Sequence, residues 1–200
     1  MQNNSAGPVT DKRRLILDAA QHVFAENGFH TSTMDAVAEA AGVAKGTIYL
    51  YFKGKNELLI DLVDDRTGQL TDMILQGIAT ARDVPGKLLA IIEAHFEFYS
   101  IESEFMSLLS GQLGLLSSEL EDRVVTGTAA LTNMVLGVIE EGMAAGVLSS
   151  KVDPTRASYA LQGMIHSVAY QWLSSGKSAP GSVVSEEVYT LFNSGIACSG

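Results

Sequence analysis

The chain has 200 residues and a formal net charge of −10, which is room for one large domain or two small ones. At 46% hydrophobic it can bury a core, which excludes a disordered chain, and its single cysteine, Cys198, excludes an intramolecular disulfide. The bulk acidity argues against nucleic acid, but it is unevenly spread. Residues 1–56 carry six Lys/Arg against five Asp/Glu, whereas residues 57–200 carry seven against eighteen. An acidic trunk behind a near-neutral head leaves only the head able to approach a polyanion. The N-terminus lacks the basic-then-apolar pattern of a secretion signal. The longest uncharged run, Ala157–Gly176, holds too much Ser, Gln, His and Gly for lipid. One thiol and no export signal fit a cytoplasmic protein with no place in a membrane.

Long amphipathic runs with almost no strand-like alternation predict an all-α fold of about nine helices. Residues 1–9, polar and containing Gly7 and Pro8, read as a disordered tail. Thr10 caps a first helix, about 11–27, whose stripe is Ile16, Ala19, Ala20, Val23 and Phe24, and Gly28 ends it. Lys12, Arg13 and Arg14 crowd its first turn against the helix dipole, where a phosphate would relieve them; a solvated basic end is the plainer alternative.

Residues 29–55 read as two short helices across a tight turn. Ser32, with Asp35 three residues on, makes a capping box for the first, and Met34, Val37, Ala38 and Ala41 are its apolar positions. Gly42 supplies the positive φ of a sharp stop. The second helix, about 44–52, carries Lys45, Thr47, Tyr49 and Tyr51, with Ile48 and Phe52 four apart as anchors. Two helices joined through a Gly-containing turn form the helix-turn-helix arrangement that reads DNA. Gly46, inside the second helix, costs roughly 1 kcal/mol relative to Ala, a cost that makes sense where a phosphate comes close to the backbone.

These residues resemble a known family. GF-x3-T-M-x2-VAEAAGVAKGTIYLYFKGKNELL is similar to the N-terminal DNA-binding segment of TetR-family transcriptional regulators, over roughly residues 12–60. The resemblance implies a three-helix DNA-binding head (residues 10–54) and a C-terminal helical bundle for ligand binding and dimerisation (residues 55–200). It further implies a homodimeric regulator, a repressor of a double-stranded palindromic operator released by a small-molecule inducer. Lys45 and Tyr49 then contact phosphate or base edges, with Gly46, Thr47 and Tyr51 beside them. Ser32 and Thr33 hold phosphate at a helix N-terminus, and Lys53 and Lys55 clamp two more. The chain departs from the common family pattern at Ala44, where Ser or Thr is frequent, and at Leu50, where a polar or aromatic residue is frequent; Leu50 suits a thymine methyl instead.

Beyond the head, a long fourth helix runs from about Lys55 to Ala81 with Leu58, Leu59, Leu62, Leu70, Met73, Ile74 and Ile78 on its stripe. The fifth spans about 85–100. The sixth passes through Phe105, Met106 and Leu109, loosened by Gly111 and Gly114. A seventh runs from Ser117 or Ser118 to Gly146, and Asp153-Pro154 opens an eighth that ends near Ser175. A connector over 174–182 leads to a ninth, about 183–196. Small residues and flexible methionines in helices six to eight, with nearby rings, outline an apolar ligand site of the kind the family resemblance implies. Its candidates are His95, Phe98, Tyr99, Phe105, Met106, Leu109, Met134, Met164 and His166, for an apolar or aromatic compound; plain core is the alternative for each. No Glu-x-x-His pair, HExxH, GxSxG, GxGxxG or Walker A pattern occurs, so neither metal, cofactor nor enzymatic activity is expected. The uncharged face of helix eight, with Tyr159, Gly163, His166, Tyr170 and Trp172, and helix nine with Val184, Val188, Leu191 and Phe192, suit a homodimer built from the last two helices. The rival reading is a helical ligand- or partner-binding protein whose head has lost operator binding.

Overall fold

The computed structural model describes residues 8–112, 118–175 and 182–197. Within them the chain forms α1 (Pro8–Asn27), α2 (Met34–Ala40), α3 (Lys45–Tyr51), α4 (Lys55–Thr80), α5 (Val84–Ile101), α6 (Ser103–Gln112), α7 (Ser118–Ala144), α8 (Pro154–Ser174) and α9 (Ser182–Ile196). The fold is all-α, as the periodicity predicts; among the described residues the only extended pairing is a bridge between Leu148 and Ala197. Residues 1–7, residues 113–117 with Gly114, the predicted connector over 176–181 and Cys198 lie outside the described residues, as do the side chains of Val124 and Val125. The residues divide into two compact units. One is drawn from Met1–Arg66 and Glu104–Thr126, the other from Thr67–Ser103 and Gly127–Gly200.

In the first unit α1 packs on α2, and α2 on α3. Ile16, Leu17, Ala20, Val23 and Phe24 recur at helical spacing on α1 and are buried, and Phe29 closes on Phe24 edge-to-face. Gly28 and Gly42, at φ 78° and 64°, take the left-handed conformation that ends α1 and α2 without the clash a side chain would meet. Two expectations need correcting. First, α1 starts at Pro8 rather than after Thr10, because a proline has no N–H to lose in a first turn. Residues 8 and 9 are thus helical, and Lys12–Arg14 lie beyond the first turn. Second, α2 is capped by Thr33, not Ser32: the Thr33 hydroxyl oxygen accepts from the Ala36 N–H at 3.1 Å. Ser32 is buried, donating to the carbonyls of Gly28 (2.7 Å) and Val23 (3.1 Å).

The first half of α4 is bolted to α1 by two guanidinium groups. Arg13 meets Asp61 at 2.9 Å and lies over the Phe52 ring. One turn further along, Arg66 is buried and reaches Asp18 at 2.5 Å, Asp65 at 2.8 Å and Gln21 at 2.8 Å. Removing a buried cation from water is tolerable only with such partners. From α6, Glu104 faces His22 of α1.

The second unit gathers the rest of α4 with α5, α8 and α9; α5 packs on both α8 and α9, and α8 on α9. The helices start on carboxylate caps: Asp83 accepts from Gly86 N–H, and Asp153 from Arg156 N–H. On α7, Thr132 donates to Gln162 of α8 at 3.2 Å, and Glu141 receives Lys87 of α5 at 2.7 Å. Beyond α7, Ser149 N–H donates to the Ile196 carbonyl at 2.7 Å, fastening the α7–α8 loop to the end of α9.

Two glycines separate the constraints of this unit. A Cβ at Gly142 would come within 2.8 Å of Leu148 and of Val84, whereas at Gly68, inside α4, it would meet nothing within 4 Å. Gly142→Ala should therefore lower stability by about 1–3 kcal/mol through overpacking. Gly68→Ala should raise it by up to about 1 kcal/mol through helix propensity. Thermal and denaturant unfolding of the two variants checks the opposite signs.

Candidate nucleic-acid interface and effector residues

A seven-residue helix is too short to hold its shape in water alone, so α3 depends on what it buries. Ile48 is fully buried and Phe52 nearly so. That fixes the other face outward: Lys45 and Tyr49 are exposed, and Leu50 keeps 82% of its surface in solvent. Thr47 and Tyr51 are half-buried, the Tyr51 ring tilted against Phe52. Ala44 is the N-cap of α3 and offers no side-chain cap bond. At Gly46 an added Cβ would meet nothing within 4 Å, so the head itself does not require glycine there.

The cations of the head are not equivalent. Lys45 forms an exposed ion pair with Asp35 at 2.5 Å, whose hydrogen bond and charge raise its pKa. An exposed pair of this kind is weak, screened by solvent, and can be exchanged for a phosphate. Lys55 is different. Its ammonium donates to the carbonyls of His30 and Ser32, both at 2.9 Å, and sits 4.7 Å from the Phe29 ring centroid. Partial burial lowers its pKa. Lys55 thus closes the α1–α2 loop onto α4 instead of standing free as a phosphate clamp. Ser32 is likewise turned inward, and Arg13 is engaged with Asp61. Lys53, by contrast, is exposed, and its backbone N–H donates to the Glu57 carboxylate at 2.5 Å. Sequence reasoning passed over Arg66, although the signal was present. It stands four residues from both Leu62 and Leu70, a cation on an apolar stripe, which demands buried partners.

Of the proposed effector residues, His95, Phe98, Tyr99, Met134, Met164 and His166 belong to the second unit, while Phe105, Met106 and Leu109 belong to the first. Phe98 and Tyr99 are buried in α5, and Met134 and Met164 are half-buried in α7 and α8. In the first unit Phe105 is buried, and Met106 and Leu109 are half-buried. The Tyr99 ring is central to its unit's aromatic group. His95 meets it edge-to-face, centroids 5.9 Å apart, and His166 of α8 lies tilted at the same distance; Phe98 adds a third ring contact, again edge-to-face. His95 Nδ1–H donates to the Ile91 carbonyl at 2.7 Å. Burial pushes its pKa down to about 4, helped by the nearby His166 imidazole and opposed by that hydrogen bond. His166 keeps part of its ring in solvent, yet crowding on the protein side lowers its pKa too. Burial raises the Tyr99 phenol well above its usual value. The group is therefore polar and uncharged at neutral pH. Among the described residues no set of three or more His, Cys, Asp or Glu is placed to hold a metal ion, and no helix is long and apolar enough to cross a membrane.

The depressed His95 pKa has a definite sign. The unfolded chain takes up this proton below pH 6.5, whereas the folded one refuses it until about pH 4. His95 therefore costs no stability above pH 6.5, progressively more as the pH falls from 6.5 to about 4, and nothing further below that. Relative to His95→Gln, the protein should lose about 3 kcal/mol of extra stability between pH 7 and pH 4, measured by denaturant unfolding of both at each pH.

Comparison with known proteins bears on both halves of the chain. The model of "Bacterial regulatory proteins, tetR family" matches residues 16–62, and that of "Tetracyclin repressor-like, C-terminal domain" matches residues 81–194. The fatty acid metabolism regulator protein of Bacillus subtilis is 30% identical over 185 residues, covering 92% of this chain and 95% of that one. The structure of the fatty acid degradation regulator FadR from Bacillus halodurans superposes with a TM-score of 0.87 at 28% identity, over 96% of this chain and 98% of that one. FadR from Bacillus subtilis, in complex with stearoyl-CoA, superposes at 0.84 with 30% identity, over 92% and 98%. A head with a helix-turn-helix and an outward-facing α3, joined to a trunk that matches over most of its length, places the chain in a family: it belongs to the TetR family of bacterial transcriptional regulators.

Proposed function

We propose that the protein is a homodimeric, cytoplasmic repressor that holds a palindromic operator and lets it go on binding a long acyl thioester. The observation that carries the operator half is the division of α3: Ile48 and Phe52 are sunk in the head, and Lys45, Tyr49 and Leu50 are presented together. Lys45 and Tyr49 contact phosphate or base edges. Thr47 and Tyr51 lie alongside, Ala44 and Gly46 allow close approach of the backbone, and Thr33 and Lys53 add phosphate contacts. Ser32 and Lys55 act from behind by fixing the loop before α2. The protein works by binding alone, without a catalytic step.

The dimer reading is supported by α8, where Tyr159, Gly163, His166 and Tyr170 succeed one another on one exposed face, and by Val183 and Leu191 of α9, each more than 60% exposed. Val188 and Phe192 are buried within the subunit, so the partner-facing part of α9 is narrower than its apolar content. The ligand class is supported by the stearoyl-CoA complex of the FadR relative and by the uncharged ring group of Phe98 and Tyr99. His95 and His166 supply polar atoms without charge. Ligand acts on the operator only through unequal affinity for the binding-competent and incompetent states.

Selection from random duplexes should return a palindrome with half-sites about one helical turn apart, and stearoyl-CoA at fixed salt should weaken binding by about 1–3 kcal/mol. Monomeric protein that prefers no duplex at low ionic strength would reject the operator reading; unchanged affinity with stearoyl-CoA would reject only the ligand class. The two lysines separate their roles in the same assay. Lys53→Ala should flatten the dependence of log affinity on log salt by about one unit per head. Lys55→Ala should instead lower the thermal stability of the head, since the His30 and Ser32 carbonyls lose their donor.

A further inference from the structure

Leu50 is the most exposed large apolar side chain in the described part of the protein, at 82%. It contributes almost nothing to the folded head, since its neighbours Ile48 and Phe52 occupy the core on the opposite side of α3. It follows Gly46 by four residues, which puts the two on one helix face. At Gly46 even a Cβ would meet nothing within 4 Å. That face therefore combines a bare stretch of backbone, able to approach closely, with one branched hydrocarbon beyond it. Lys45 and Tyr49, both exposed, flank it. A leucine has no donor or acceptor, so it cannot read the hydrogen-bonding edges of a base pair. The one apolar feature of the major groove is the C5 methyl group of thymine.

We propose that Leu50 is a specificity-determining residue that reads the 5-methyl group of one thymine in each operator half-site. The inference rests on the operator reading above and goes further by naming the chemical group read. The preference it creates is for thymine over uracil at one symmetric pair of positions, set by burial of methyl against leucine and independent of any hydrogen bond.

Deoxyuridine replaces thymidine with loss of the methyl group alone, and so isolates this contact. On the duplex obtained by selection, each thymine is replaced in turn, symmetrically in both half-sites, and the affinities of the unaltered protein, Leu50→Ala and Leu50→Met are compared. One pair of positions should weaken binding of the unaltered protein about fourfold per half-site, the worth of burying one methyl group. Leu50→Ala should be insensitive to the replacement there, and Leu50→Met should retain most of the sensitivity. Circular dichroism and thermal unfolding of Leu50→Ala should match the unaltered protein, because the side chain is not part of the core. Tight binding with a flat scan, or a loss that persists undiminished in Leu50→Ala, overturns the inference and leaves the operator reading standing. Failure to prefer any duplex removes both.

Discussion

The structure turns on one constraint: a reading helix of seven residues cannot pay the cost of its own formation. Nucleating a helix fixes several residues for each hydrogen bond gained, and α3 ends before propagation can compensate. Its conformation is supplied by Ile48 and Phe52, fully or almost fully removed from solvent. Anchors four residues apart also settle its rotation, since they occupy one stripe. The exposed positions Lys45, Tyr49 and Leu50 are outward because the anchors are inward. Arg13, lying over the Phe52 ring while paired with Asp61, extends the same anchorage to α1 and α4.

Formal charge overstates how much of the head is available to a polyanion. Three of its six Lys/Arg are engaged within the protein: Arg13 with Asp61, Lys45 with Asp35, and Lys55 with two carbonyls. These commitments differ in strength. The Lys45 pair is open to water on both sides and is cheaply exchanged. Lys55 holds backbone oxygens that would otherwise lose a partner, and Arg66, buried with Asp18, Asp65 and Gln21, has no cheap alternative. The same residue type therefore serves as a mobile contact in one place and as a fastening in another, and burial decides which.

Much of this was legible in the sequence because it depends on local rules. Helical periodicity located the helices, and glycines at 28, 42 and 146 marked their ends through positive φ. Asp153 announced its cap. What was not legible depends on tertiary partners. Ser32 and Thr33 are both good capping residues, and the choice between them rests on the Val23 and Gly28 carbonyls that Ser32 finds across the loop. Lys55 read as a phosphate clamp, and no local pattern shows that the His30 and Ser32 carbonyls come within its reach. Nor does any local pattern reveal that residues 104–126 group with the head while the segments on either side form the other unit. Flexible methionines and nearby rings grouped Phe105, Met106 and Leu109 with His95 and Tyr99 as ligand candidates; the first three fall in one compact unit and the last two in the other.

That division bears on how a ligand in a trunk can influence a reading helix. The chain passes between its two units after Arg66, after Ser103 and after Thr126. The first passage lies inside α4 and the last inside α7, so at these points the connection is continuous helix rather than slack loop. A helix transmits a displacement along its length because each turn is hydrogen-bonded to the next. Arg66 and Asp18 clamp the head's side of the α4 passage. Gly68 follows it closely, as Gly127 follows the α7 passage, and each glycine forgoes about 1 kcal/mol of helix propensity relative to alanine. Allosteric coupling between two sites is typically worth a few kcal/mol.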